Sequence, residues 1–349
     1  MDLSRLLVLL LALPFVALAV TACEGRPGEV VIASMPTMAE TADLSALQEF
    51  VATPPPPSPS PAATLPTSTP PPTATPSPMP TDTPTATPQI PDTSTPDPAR
   101  QINGIPFEEI AVIPPSVAEN VRQIAQRGEE LGRNPRAFSK LGDSAVLVES
   151  NLTRFDNGPV TLGAYGFLQP TIEYFSGSWQ RYGAGARVSL TTIGTFDPMW
   201  ANPNYCPPGV HLLECEINLH NPAIILIRLG TNDGDADLYS TYMSRIIEFA
   251  IEKGVIPVLG TKADRFEGDD SINEATRRLA ADYRVPLWDF DRLAETLPNR
   301  GLTDDQAHLT MYSRNDYSDP ETFDRGYPMS DLSALVVLDM IVGTLSANE

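Results

Sequence analysis

At 349 residues, with 44 acidic against 23 basic side chains, the chain carries a formal net charge of −21 at pH 7. That balance excludes nucleic acid as a partner and an electrostatic hold on anionic membranes, since both need an excess of cations. The length would fill two ordinary domains, but nearly half of the 37 prolines lie between residues 53 and 98, where no core can form.

The chain begins with Arg5, an apolar run from Leu6 to Val20 and Val-Thr-Ala before Cys23. This is similar to a bacterial secretion signal with a lipoprotein cleavage box, Cys23 becoming the lipidated N-terminus. An uncleaved anchor and a plain signal peptide are the alternatives, although the run is short for a membrane span. Each reading puts the folded domain outside the cytoplasm, and attachment to a membrane would come only through the lipid at Cys23. Residues 24–100 read as a tether: scattered apolar residues, one short helix over 44–51, then a Pro/Thr-rich spacer reaching up to roughly 3 Å per residue where it is polyproline II. The folded domain is expected over 101–349, about 250 residues and ample for one large α/β core.

Within that domain, Ser116 and Glu119 behind Pro114 and Pro115 have the form of a capping box, and Val117, Val121, Ile124 and Leu131 come after them at helical spacing. The first strand is expected over 136–141, less apolar than a central parallel strand. A helix is expected over 169–175, and a second strand over the alternating stretch 186–193, ending at Gly194. Ala-Ile-Ile-Leu-Ile-Arg-Leu at 223–229 reads as a buried strand that runs into Gly230-Thr231-Asn232-Asp233. Leu238, Tyr242, Ile246, Phe249 and Ala250 would line one face of a helix over 238–253, stopped by Gly254 in a left-handed cap. A strand over 255–259, a second capping box at Ser271 and Glu274 with its helix to Tyr283, a strand over 285–290 and a helix over 332–345 complete the domain. Strands alternating with helices imply a mostly parallel five-stranded sheet covered on both faces, with ligands bound outside the carboxyl ends of its strands. Ser144, Gly194 and Asn232 each come after the end of a different strand, so one edge would present all three.

Gly142-Asp143-Ser144 is by composition an ordinary turn, and Ser144 becomes a nucleophile candidate only if a base, an orienting carboxylate and oxyanion donors exist elsewhere. Asp305-Gln306-Ala307-His308 sets a carboxylate three residues before a histidine. His308 would take the Ser144 proton while Asp305 fixes its tautomer and stabilises the imidazolium. The oxyanion donors would be the N–H groups of Ser144 and Gly194 and the side-chain amide of Asn232, with Gly183 and Gly185 as rivals to Gly194. No G-x-S-x-G elbow is present, which argues against the ordinary α/β-hydrolase arrangement.

The Gly142–Ser144, Gly230–Asp233 and Asp305–His308 blocks, in this order, resemble three signature blocks of the SGNH/GDSL hydrolases. The resemblance implies a flavodoxin-like three-layer α/β/α fold and hydrolysis of an ester or acyl group, with Ser144, Gly194, Asn232 and His308 in the roles just given. It implies no cofactor. The expected substrate is a small-molecule or carbohydrate ester at the cell surface; the competing class is a catalytically silent surface module that binds glycans or proteins through the same edge.

Cys206 and Cys215, close together in a Pro/Asn-rich loop, read as a disulfide in an oxidising compartment. Asp233, Asp235 and Asp237 imitate the start of a calcium loop, but Leu238 and Ser244 stand where its glycine and bidentate glutamate belong, so no metal is assigned. His211 and His220 are read as surface or packing residues. Lys262, past the fourth strand, would either pair with an anionic group in the pocket or stand in solvent. Trp179, Trp200 and Trp288 are read as packing, with Trp200 near Gly194 a candidate sugar platform.

Overall fold

The computed structural model describes residues 100–181 and 183–347; the secretion signal, Cys23 and the tether lie outside the described residues. A short hairpin, β1 (Gln101–Ile102) and β2 (Ile105–Pro106), leads through α1 (Phe107–Ile110) into β3 (Ala111–Val112) and α2 (Pro115–Glu130). Then come β4 (Asn134–Gly142), α3 (Ser144–Leu147), α4 (Gln169–Tyr174), α5 (Leu212–His220) and β5 (Pro222–Arg228). The domain ends through α6 (Ala236–Glu252), β6 (Ile256–Gly260), α7 (Ser271–Tyr283), β7 (Leu287–Trp288), α8 (Phe290–Ala294) and α9 (Gly326–Ser346).

The five-stranded sheet has the order β3-β7-β6-β5-β4, with β4 to β7 parallel and β3 antiparallel to β7. Alternation along the strands divides the core in two. Phe138, Ile224 and Leu226 face a cluster that includes Val117, Val121 and Ile124 of α2 and most of α9. Leu141, Ile225 and Ile227 face a second cluster with Leu212, Leu213 and Ile217 of α5, the buried face of α6, and α7. The result is a three-layer α/β/α domain, as expected. Helix α9 is long and apolar enough to cross a membrane by composition, but its residues 326–338 are all buried in the protein. A helix apolar all round is what such a core position requires.

Several local expectations are corrected. The stretch 186–193 is no strand: Ala186 makes one parallel bridge to Gly142, after which Val188 is 61% exposed and Ser189 takes φ +59°, which breaks the extended path. The fifth strand is supplied by Ala111–Val112 at the opposite edge. Neither capping box forms. Pro114 is the N-cap of α2, with Pro115 at the first helical position where its missing N–H costs nothing, and the Ser271 N–H is taken by Asp269 Oδ1 at 2.9 Å. The buried stripe of α6 is Tyr239, Met243, Ile246, Ile247 and Ala250, with Leu238 half exposed. Asp235 caps that helix at the N–H groups of Asp237 (3.0 Å) and Leu238 (2.8 Å), which starts it earlier than the apolar pattern suggested. Gly254 does hold the left-handed cap, at φ +66°.

Candidate active site

The site is built at the carboxyl end of β4. Gly142, its last residue, has no room for a side chain: a Cβ would lie 2.2 Å from Val146 Cγ2 and 2.6 Å from Arg228 O. The chain then turns at Asp143, whose Oδ1 accepts from the Ala145 N–H at 2.9 Å and so caps α3 at its start. Ser144 is the first residue of that helix, with its N–H among those a helix leaves free in its first turn. Burial pushes the Asp143 carboxyl up, against the pull of the Ala145 N–H and the Arg228 charge.

Residues 301–310 form a tight return loop, closed by the Leu302–Leu309 bridge and by hydrogen bonds from Thr303 N to His308 O (2.8 Å) and from Thr310 N to Gly301 O (2.7 Å). At its tip Gln306 takes φ +57°. His308 Nε2 stands 3.0 Å from Ser144 Oγ, and His308 Nδ1 stands 2.7 Å from Asp305 Oδ2. Asp305 is itself pinned: Oδ1 accepts from the N–H groups of His308 and Ala307, each at 3.0 Å, and from Thr303 Oγ1 at 2.6 Å. The His308 N–H first, then the Thr303 hydroxyl, the imidazole and the Ala307 N–H hold its carboxyl well below the usual carboxylate range. The histidine and aspartate are partly solvent-facing, with side chains 40% and 52% exposed.

The third block meets the first two at the same edge. Gly230, at φ +123° and with Ile272 Cγ2 2.5 Å from where a Cβ would stand, lets β5 turn sharply. Asn232 Nδ2 then lies 3.2 Å from Leu190 O and 3.4 Å from Asp143 Oδ2, between the loop after the Ala186 bridge and the turn that carries Ser144. Gly194 is not placed with them by any comparable contact. It sits in a 3-10 turn, Ile193–Phe196, with its N–H donated to Thr191 Oγ1 at 3.2 Å and its α-carbon backed by the Trp200 indole. Of its rivals, Gly185 donates to Glu216 Oε2 at 3.0 Å and Gly183 packs against the same carboxylate. The strand expected to end at Gly194 does not continue there.

Other side chains find structural employment. Asp233, the first acid of the calcium-loop imitation, is buried and anchors Thr192. Lys262 is neither in solvent nor free for a ligand: it is 3% exposed and bonds Asp264 Oδ1 (2.7 Å) and Glu267 Oε2 (2.6 Å). His211 accepts from the Glu214 N–H at the start of α5 and packs against Phe196 and Phe249, and His220 stands 3.8 Å from Glu216. Trp179 and Trp288 are buried, and the Trp200 carbonyl accepts from Arg187. Cys206 and Cys215 are bonded, Cα to Cα 5.5 Å, with Cys215 on α5 and only Cys206 in the loop. Among the described residues no three His, Cys, Asp or Glu side chains gather as metal ligands would.

No family model matches the chain, and no curated protein matches it. Similar solved structures include a psychrotrophic esterase from Pseudoalteromonas sp., 13% identical over 60% of this chain and 99% of that one, at a TM-score of 0.36. A GDSL-like lipase from Bacteroides thetaiotaomicron is 17% identical over 65% of this chain and 98% of its own, at 0.35. A variant of an acetyl-xylooligosaccharide esterase from Geobacillus is 15% identical, covering 58% and 93%, at 0.37. In the order of its Gly-Asp-Ser, Gly-Thr-Asn-Asp and Asp-Gln-Ala-His blocks, in its sheet and in the meeting of Ser144, His308 and Asp305, the domain resembles the SGNH/GDSL hydrolases.

Proposed function

We propose that the protein is an extracytoplasmic serine hydrolase that cleaves an ester by a Ser-His-Asp mechanism, acting on an acylated small molecule or surface carbohydrate. The observation that carries this reading is the continuous chain from Ser144 Oγ to His308 Nε2 at 3.0 Å and from Nδ1 to Asp305 Oδ2 at 2.7 Å. In the first half of the reaction Ser144 Oγ attacks the ester carbonyl while His308 accepts its proton. The Ser144 N–H and the Asn232 amide are the donors at hand for the oxyanion, which requires the amide to turn from Leu190 O and Asp143 towards the substrate. His308 then gives the proton to the departing alcohol, and water, activated by the same imidazole, releases the acid from Ser144. Asp305 keeps Nδ1 protonated throughout. The Cys206–Cys215 bond and the leader-like run before Cys23 support the location.

A fluorophosphonate probe tests the mechanism without knowledge of the substrate, because it labels only an activated hydroxyl. Labelling of Ser144, mapped by peptide mass and absent from Ser144→Ala, is the expected result. Folded protein that leaves Ser144 unlabelled would overturn the hydrolase and leave a surface module that binds through the same edge.

A further inference from the structure

Beside the nucleophile's turn lies a cleft of about 490 Å³, within the size range of small-molecule sites. Its walls include Val146 and Leu147, on the helix that Ser144 begins, and Ala186, which is bridged to Gly142. Two cations line it. Lys140, on β4 and only 8% exposed, has one hydrogen bond from its ammonium among the described residues, to Trp179 O at 3.0 Å, out of the three it can donate. Among the described residues Arg181 bonds through Nη2 alone, to Phe138 O and to Ser139 Oγ.

Among the described residues neither cation pairs with a carboxylate. The acids that act on Lys140 through space are committed elsewhere: Asp331 to Arg154, Glu216 to the Gly185 N–H and Asp156 to the N–H groups of Gly177 and Gln180. Burying an ammonium without a counter-charge is costly, and such a group is retained when something else supplies the charge. Burial lowers the Lys140 ammonium to about 8, and an anion bound there would raise it again.

We propose that this cleft is a subsite for a carboxylate on the substrate, held by Lys140 and Arg181 beside the scissile ester. The guanidinium matches a carboxylate in shape. A single negative charge fits better than a phosphate dianion, because Glu149 also lines the cleft and Glu216 and Asp156 lie within electrostatic reach of Lys140. Lys140 leaves strand β4 two residues before Gly142, so a bound carboxylate and the Ser144 hydroxyl are addressed from one end of one strand. As a substrate subsite the cleft rests on the hydrolase reading; as an anion site it does not.

The test uses the full chain and a pair of probes without an ester, methyl β-D-glucuronide and methyl β-D-glucoside, which differ in the carboxylate. Titration calorimetry is expected to show the glucuronide binding at least tenfold more tightly, with the preference falling to within threefold in both Lys140→Met and Arg181→Gln. Circular dichroism confirms that each variant is folded, and where one variant does not fold the other decides. Equal binding of the two probes, or a preference that survives in a folded variant, overturns the subsite. Fluorophosphonate labelling of the same preparation separates the two claims: labelled Ser144 without carboxylate preference removes the subsite and keeps the hydrolase. Carboxylate preference with Ser144 unlabelled keeps an anion site and removes its role in catalysis.

Discussion

The Asp233 carboxylate grips Thr192 twice, through the N–H at 3.1 Å and through the hydroxyl at 2.6 Å. It thereby ties the turn that carries Asn232 to the loop whose Leu190 carbonyl receives the Asn232 amide. The block that supplies a side chain to the site also fixes the loop that faces it. Asp233→Ala is expected to cost about 1.5–3 kcal/mol in chemical denaturation, the range for hydrogen bonds to a charged group. Asp233→Asn, which keeps an acceptor, should cost less. If both variants unfold at the wild-type midpoint, the double contact contributes nothing.

Gly142 is required by crowding rather than by backbone conformation, since a Cβ there would meet Val146 Cγ2 and Arg228 O well inside contact distance. Gly142→Ala must push α3 away from the end of β4. A loss of about 1–3 kcal/mol is expected for such overpacking, together with a fall in the rate of fluorophosphonate labelling, because the helix that moves begins at Ser144. Wild-type labelling by the alanine variant would show that the turn tolerates the shift.

The parts legible in the sequence were those fixed locally. Residues 223–229 form one largely apolar run, Gly254 ends a helical stripe, and Asp305 stands three residues before His308, so pattern alone pointed to them. What escaped depends on partners distant in the chain. Nothing in the residue types of 186–193 announces that Ser189 takes φ +59° and ends the pairing after one bridge. Strand β4 read as too polar because Ser139 and Lys140 are answered by Arg181 and Trp179, some forty residues on; it is also the edge strand, not a central one. Asp233 resembled its neighbours Asp235 and Asp237 until folding brought Thr192 to it. The strand that was to lead to Gly194 is missing for the same reason: Ser189 takes φ +59° ahead of it.

Lys140 makes the stability of the domain depend on pH in a predictable direction. Its ammonium is lowered to about 8 in the folded protein from an ordinary value of 10.5. Between those values the unfolded chain holds a proton that the native state has released, so stability rises with pH across this window. The contribution is on the order of 3 kcal/mol over the full interval. Lys140→Met removes the titrating group, and the difference in unfolding free energy between wild type and variant should therefore change across pH 8 to 10.5 in favour of wild type. Parallel stability curves for the two proteins in that range would show that Lys140 is as well solvated in the fold as out of it.

In the proposed mechanism Ser144 and His308 act through one hydrogen bond at 3.0 Å, so removing either removes the same step. Ser144→Ala leaves the imidazole with no hydroxyl to activate, and His308→Ala leaves the hydroxyl at its ordinary, weak nucleophilicity. Each is expected to abolish nearly all ester hydrolysis, and the double variant to lose little more, because effects of groups that work as a unit do not add. Asp305 stands apart. Its carboxylate is held by the Thr303 hydroxyl and two backbone N–H groups as well as by the ring, and it remains about half exposed. An asparagine there can keep the backbone contacts through its oxygen but would offer an N–H to Nδ1, favouring the tautomer that cannot accept the Ser144 proton. Water can partly replace the lost charge at so open a position, so Asp305→Asn should retain about 10- to 100-fold more activity than Ser144→Ala. Steady-state rates on a 4-nitrophenyl ester decide the matter: an active Ser144→Ala protein, or single losses that multiply in the double variant, would remove the triad as the source of hydrolysis.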